Sequence, residues 1–269
     1  MATSSSSQID TFPRPGKTAI VTGGSSGIGR SSAIALAKAG WNVCVTGRRE
    51  TELQSTLVDM HNASGRSDGG LYVAGDITKE DVVASVFKQT TAKFGRVDLL
   101  FANAGISPPN VPIMEQKLQD WQATVDVNLT APWLCAREAF RAMSTQSPRG
   151  GRIIINGSLS AYTPRPHTEP YTATKHAMTG LTKSLSLDGR AHDIAVTQLD
   201  IGNAASEMTL KMKSGPGVLQ ANGELAHEPT MDRRHVADQV VAIAEMDLSV
   251  NIANIIIQAT KMPSYVGRG

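Results

Sequence analysis

Seven short runs rich in apolar and β-branched residues punctuate the chain, at 18–22, 42–46, 70–74, 99–102, 152–156, 194–199 and 252–258. Several have little polar interruption, which is the pattern of parallel strands covered on both faces rather than the alternation of a half-exposed sheet. Between them, helical spacing occupies 28–38, 50–61, 79–94, 118–144, 171–190 and 234–246. The first of these ends on Lys38 with Gly40 just beyond, a basic last turn followed by a residue that tolerates a left-handed backbone. Strands alternating with helices predict a Rossmann-type, doubly wound α/β fold: a parallel sheet of about seven strands with helices on both faces.

The rhythm breaks at two places. Residues 1–16 are Ser-rich and carry Pro13 and Pro15, which predicts a loose tail. The stretch 203–232 holds Gly215-Pro216-Gly217 and a scatter of Met208, Leu210, Met212 and Leu219, which predicts a cap over a substrate pocket. Residues 17–269 are therefore expected to form one domain around one sheet, a size that α/β folds accommodate.

Composition narrows the class of partner. An apolar content of 41% is enough for a large core, and a formal net charge of +2 makes no case for a nucleic-acid or membrane surface, so a small molecule is the expected partner. No apolar run approaches the ~20 residues that cross a bilayer, and no basic region followed by an apolar stretch opens the chain. A cytoplasmic protein is expected. Cys44 sits in an apolar run and Cys135 beside Trp133 and Leu134, which reads as two buried thiols in a reducing compartment. His61, His167, His176, His192, His227 and His235 lack the spacing of a zinc site, so no metal is expected.

Two segments carry candidate chemistry. After the first strand run comes Thr22-Gly23-Gly24-Ser25-Ser26-Gly27-Ile28-Gly29, then a helix. Glycines there let backbone N–H groups approach a diphosphate, and the helix N-terminus adds favourable partial positive charge. Arg30 and Ser31 follow Gly29, so the Lys of a nucleoside-triphosphate loop is missing. Further on, Tyr171-Thr172-Ala173-Thr174-Lys175 places a phenol and an ammonium four residues apart on one helix face. A nearby ammonium favours the phenolate, which makes the pair a candidate proton donor and acceptor. Ser158 stands thirteen positions before Tyr171, Ser160 eleven. The segment Asn156-Gly157-Ser158-Leu159-Ser160 lacks the second glycine of a hydrolase elbow, which sets a Ser-His-Asp hydrolase aside.

With these motifs in place the chain resembles the short-chain dehydrogenase/reductase family, over about residues 17–208. The glycine pattern at Thr22 to Gly29 matches, as do Asp76 in Gly75-Asp76-Ile77, Asn103-Ala104-Gly105, Asn128 in Val127-Asn128-Leu129, and the Ser158, Tyr171, Lys175 spacing. The resemblance implies a ketone or aldehyde reductase, or secondary-alcohol dehydrogenase. Tyr171 would be the proton donor and acceptor, and Ser158 a hydrogen-bond donor to the substrate oxygen. Lys175 would favour the phenolate and hold the nicotinamide ribose, while Asn128 would fix a relay water. It also implies cofactor contacts from Gly23, Ser25, Ser26, Gly27, Ile28, Gly29, Asp76, Ile77, Asn103, Ala104 and Gly105, and assembly as a homotetramer or homodimer through 118–144 and 171–190.

The second strand ends Thr46-Gly47-Arg48-Arg49, with no acid before Glu50. Arg48 can fork onto a ribose 2′-phosphate, Gly47 leaves it room, and Arg49 stands beside it, which predicts NADP(H) over NAD(H). Two features depart from the family. Ile201 stands where Pro usually precedes Gly202, putting contacts from Gly202 and Ser206 to the nicotinamide in question, and Gln258 to Pro263 replaces a glycine-rich turn. The rival function is a relative that binds NADP(H) without catalysis, as a redox sensor or scaffold. An epimerase or dehydratase fits less well, because only 70 residues follow Leu199.

Overall fold

A computed structural model describes residues 16–206, 209 and 217–262. The stretch 1–15 and the cap residues Met208, Leu210, Met212, Gly215 and Pro216 lie outside the described residues. Seven parallel strands form one sheet: β1 (Thr18–Thr22), β2 (Asn42–Gly47), β3 (Gly70–Ala74), β4 (Leu99–Ala102), β5 (Gly151–Asn156), β6 (Ile194–Ile201) and, late in the chain, β9 (Asn254–Ile257). Their order is β3-β2-β1-β4-β5-β6-β9, so the winding reverses between β1 and β4. That is where a doubly wound sheet opens a crevice at its carboxyl edge.

Among the described residues seven α-helices cover the sheet: α1 (Gly27–Lys38), α2 (Glu50–Ser64), α3 (Glu80–Phe94), α4 (Leu118–Val125), α5 (Ala131–Thr145), α6 (Glu169–Gly189) and α7 (Arg233–Glu245). Successive strand residues feed opposite cores, as a two-residue side-chain period requires. Ala19 and Val21 join Leu36, Leu53 and Val240 of α1, α2 and α7. Ile20 joins Phe87, Leu134 and Met178 of α3, α5 and α6. With both faces covered, no strand needs a polar side, which is why the runs read as nearly continuous apolar sequence. Cys44 on β2 and Cys135 on α5 are unpaired and buried, and burial pushes both thiols up to about 12. At the opposite edge of the sheet the buried Arg152 donates to the carbonyls of Asp247 and Val250 just beyond α7.

Several details differ from expectation. The segment 118–144 is not one uniform helix: between α4 and α5 the turn Asp126–Thr130 widens, with Ala131 N bonded five residues back to the Asp126 carbonyl. Pro132 explains it, because it has no N–H to give the Asn128 carbonyl four residues earlier. Strand β6 runs past Leu199 to Ile201, which pairs with Ile257 of β9 and buries its side chain between sheet and helices. Where a proline would end the ladder, isoleucine continues it, and Gly202 N donates to the Ile257 carbonyl at 2.8 Å. The segment after β9 is also filled rather than open: Ala259 and Met262 pack on Leu159.

The described part of 203–232 is tied down at its base. A two-stranded hairpin, β7 (Val218–Leu219) with β8 (Leu225–Ala226), stands on an Ala204 to Met231 bridge. Glu228, buried, accepts from Nε and Nη2 of Arg165, from Asn203 and from Gln220. Burial alone would raise its carboxyl. The hydrogen bonds and charge of Arg165, with Asn203 and Gln220, outweigh burial and hold it below its ordinary 4.5. A depressed folded-state value stabilises the fold above the unfolded value, and that stability is lost as pH falls through the folded one. Glu228→Gln should therefore cost about 2 kcal/mol in urea unfolding at pH 7. The gap to the native chain should close as the pH drops below the ordinary carboxylate range.

Candidate active site

The carboxyl ends of β1, β2, β4, β5 and β6 all open on one edge, and the sequence-predicted residues gather there. Between β1 and α1 the chain turns on Gly23 at φ 67° and Gly27 at φ 55°, a backbone that only glycine adopts without strain. Gly29, already in α1, lies so close to the turn that a Cβ would stand 2.3 Å from the Gly23 carbonyl oxygen and 2.6 Å from Asn103 Nδ2. Ser26 precedes α1 without capping it by its side chain, so the first N–H groups of the helix face the crevice. Ser25 is buried, Ile28 packs on the core, and Ser206 comes from the far side to 3.6 Å from the Cβ position of Gly27.

At the end of β2 the two arginines part. Arg49 turns back over the glycine turn, its Nη2 donating to Ser25 Oγ at 3.2 Å and Ser26 Oγ at 2.7 Å. Arg48 is exposed, and its charge bears on Asp76. Burial opposes the charged form of Asp76, but the Thr78 N–H and hydroxyl, with Lys79 and Arg48, hold the carboxyl below its ordinary value. Ile77 turns its side chain into the core, leaving only its backbone near the edge.

Asn103 joins the strand ends. Its Nδ2 donates to the Thr22 carbonyl at 2.9 Å, its Oδ1 accepts from Asn156 Nδ2 at 3.0 Å, and the N–H groups of Asn103 and Ala104 both donate to Thr22 Oγ1. Gly105 follows, close enough that a Cβ would meet Asn128 Oδ1 at 3.3 Å. Asn128, buried in the widened turn, spends its amide on one backbone unit: Oδ1 accepts from Ile106 N and Nδ2 donates to the Ile106 carbonyl, each at 2.8 Å.

Helix α6 starts at Glu169 with Pro170 in its first turn, which puts Tyr171 near the helix mouth and Lys175 one turn deeper. Lys175 is 5% exposed; its Nζ donates to the Asn156 carbonyl at 2.7 Å and lies 5.5 Å from the Tyr171 ring centre. Ser158 begins a short turn, Leu159–Ala161, and its Oγ accepts from Ser160 N at 3.1 Å. With that lone pair used, the Ser158 hydroxyl proton is left to donate elsewhere. Ser160 itself is buried.

Sequence reasoning missed the group beneath Ser158. Asp200, 0% exposed, accepts from Ser158 N and Tyr162 OH, both at 2.8 Å, and from Gln198 and Asn254. The available signal was an acid directly after an apolar strand run, which must find partners if it is buried. Arg165 and Glu228, which meet across 63 positions, left no local signal. Among the described residues no group of three or more His, Cys, Asp or Glu could hold a metal ion, and no helix is long and apolar enough to cross a membrane.

The strand order and the glycine turn at its reversal define a Rossmann-type protein. The profile of the short chain dehydrogenase family matches residues 17–216, and the chain belongs to that family of oxidoreductases. It is 31% identical, over 93% of its own length and 94% of the relative's, to the short chain dehydrogenase/reductase astE of Aspergillus oryzae. It is 34% identical to a 3-oxoacyl-acyl-carrier-protein reductase of Synechocystis, over 74% of this chain and 78% of that one. A metagenomic short-chain oxidoreductase solved in complex with NADP superposes with a TM-score of 0.74 at 28% identity, over 90% of this chain and 96% of that one.

The residues present suit a dinucleotide: at Gly29 and Gly23 a side chain would fill the cradle that keeps the turn against the helix. Gly29→Ala should weaken binding of a reduced nicotinamide dinucleotide at least tenfold by fluorescence titration, because the turn must open to admit the methyl group. Unchanged affinity would show that the close approach does not matter.

Proposed function

We propose that this chain is an NADP(H)-dependent oxidoreductase that interconverts a ketone or aldehyde and the corresponding alcohol, with Ser158, Tyr171, Lys175 and Asn128 as its catalytic group. One observation carries the reading: a buried ammonium lies 5.5 Å from the Tyr171 ring centre and is held by the carbonyl of Asn156, two residues before Ser158, at the end of β5. The relatives' names, a reductase of 3-oxoacyl groups among them, support the same chemistry.

In this reading the dinucleotide lies along Gly23, Ser25, Ser26, Gly27, Ile28 and Gly29, with Asp76, Ile77, Asn103, Ala104 and Gly105 on its adenosine side and Gly202 and Ser206 at the nicotinamide end. Once bound, it supplies the hydride. Tyr171 gives its proton to the carbonyl oxygen and recovers it in the reverse direction, while Ser158 donates to the same oxygen, where negative charge develops. Lys175 stabilises the phenolate by its charge, and its remaining N–H groups face the nicotinamide ribose. The Asn128 amide is committed to Ile106, so its part in a proton relay falls to its backbone carbonyl, which Pro132 leaves without a helical donor. Arg48 and Arg49 together form the 2′-phosphate subsite, Arg49 already resting on Ser25 and Ser26. Residues 203–232 act as the substrate cap on a catalytic domain of 17–269, and the unpaired buried thiols accord with a cytoplasmic setting.

Titration with NADPH and, separately, NADH should show tighter NADPH binding, weakened roughly tenfold or more by Arg48→Ala or Arg49→Ala. Tyr171→Phe should bind NADPH normally and reduce no carbonyl substrate. Equal affinity for both dinucleotides would refute the phosphate subsite, and a fully active Tyr171→Phe would refute the mechanism.

We also place the subunit contact of a homodimer or homotetramer on α4, α5 and α6, where Leu118 is 79%, Leu187 60%, Trp133 43% and Trp121 39% exposed. Light scattering at micromolar concentration should report a dimer or tetramer, and Leu187→Glu should shift it toward monomer; a monomeric native chain would refute the assignment.

A further inference from the structure

We infer that Asp200 is a positioning residue for Ser158: its buried carboxylate clamps both ends of the 158–162 turn and thereby sets which way the Ser158 hydroxyl donates. The inference rests on the reading of Ser158 as donor to the substrate oxygen. Four donor groups converge on the two carboxylate oxygens. Oδ1 takes Ser158 N at 2.8 Å and Oδ2 takes Tyr162 OH at 2.8 Å and Asn254 Nδ2 at 2.6 Å, with Gln198 Nε2 within 3.0 Å of both. An acceptor-only carboxylate satisfies this set, whereas an amide would aim at least one N–H at another donor.

The turn has been shaped around this acid. A Cβ at Gly157 would stand 1.8 Å from Asp200 Oδ1, so the residue before Ser158 must lack a side chain for the carboxylate to be there at all. Ser158 is then held twice, through its N–H by Asp200 and through its Oγ by Ser160 N at 3.1 Å. Both bonds restrain the residue and use none of its hydroxyl proton, which is left to donate to a substrate oxygen. A group 42 positions away in sequence thus acts on the reaction through backbone geometry, without touching substrate.

Asp200→Asn, Ser158→Ala and the double variant test this, using NADPH oxidation with whichever of acetophenone, ethyl acetoacetate and cyclohexanone the native chain reduces fastest. Asp200→Asn should lower kcat about tenfold or more while KM and the NADPH dissociation constant stay within about twofold. In the Ser158→Ala background the same change should add nothing, since the group it positions is gone. Hydrogen exchange at the Ser158 amide, which needs no substrate, should quicken about tenfold or more in Asp200→Asn, with exchange in β1 and β4 unaltered. Gly157→Ala should reproduce the kcat loss by displacing the carboxylate, and become nearly silent in an Asp200→Ala background. Native kcat in Asp200→Asn, multiplicative losses in the double variant, or unaltered Ser158 exchange would each overturn the inference. A fully active Ser158→Ala, or a native chain that reduces none of the three ketones, would instead overturn the reading of the site on which it rests.

Discussion

One side-chain amide holds the carboxyl edge together. Asn103 binds the end of β1 through the Thr22 carbonyl and the end of β5 through Asn156, while its own backbone caps β4. The Asn156 carbonyl in turn receives Lys175. The glycine turn and the Tyr171-bearing helix, more than 140 positions apart in the chain, are therefore linked through three hydrogen bonds. Parallel strands make this possible, since all their carboxyl ends emerge on one side and small polar residues there can reach across neighbours.

Below that edge three buried polar side chains, Asn128, Asp200 and Glu228, each have hydrogen-bond partners. Asn128 is used up on Ile106, Asp200 on the turn that carries Ser158, and Glu228 on Arg165 and Asn203. Unpaired, each would carry the desolvation cost of a polar group in the interior. Paired, they keep the outward donors in fixed directions, and preorganised donors are what a developing oxyanion needs. The same logic explains two departures from the family pattern: Ile201 extends the β6 ladder, and Met262 fills the space below Gly202, where its Sδ lies 2.9 Å from a Cβ position.

Residues Thr18 to Ala102 build the half of the site that suits a dinucleotide, and the later strands build the half that would face a substrate. The second half is joined to the hairpin of 218–226 through Arg165, Glu228 and Gln220. Arg165 belongs to the loop between Ser158 and Tyr171, so movement of the hairpin would pull on the segment between two members of the proposed catalytic group.

Short-range physics made much of this legible from sequence. The strand runs follow from nearly unbroken apolar stretches and the helix positions from a period of about 3.6 residues, and the glycine turn follows from backbone freedom at fixed spacing. Tyr171 and Lys175 share a face because four residues make about one helical turn. Tertiary structure alone decided the rest. Neither the preference of Arg49 over Arg48 for the serine hydroxyls, nor the pairing of Asp200 with Ser158, nor that of Arg165 with Glu228 has a period or a local spacing. Such pairs form between elements that the fold brings together, and a charged residue in one sequence shows that it needs a partner without showing which.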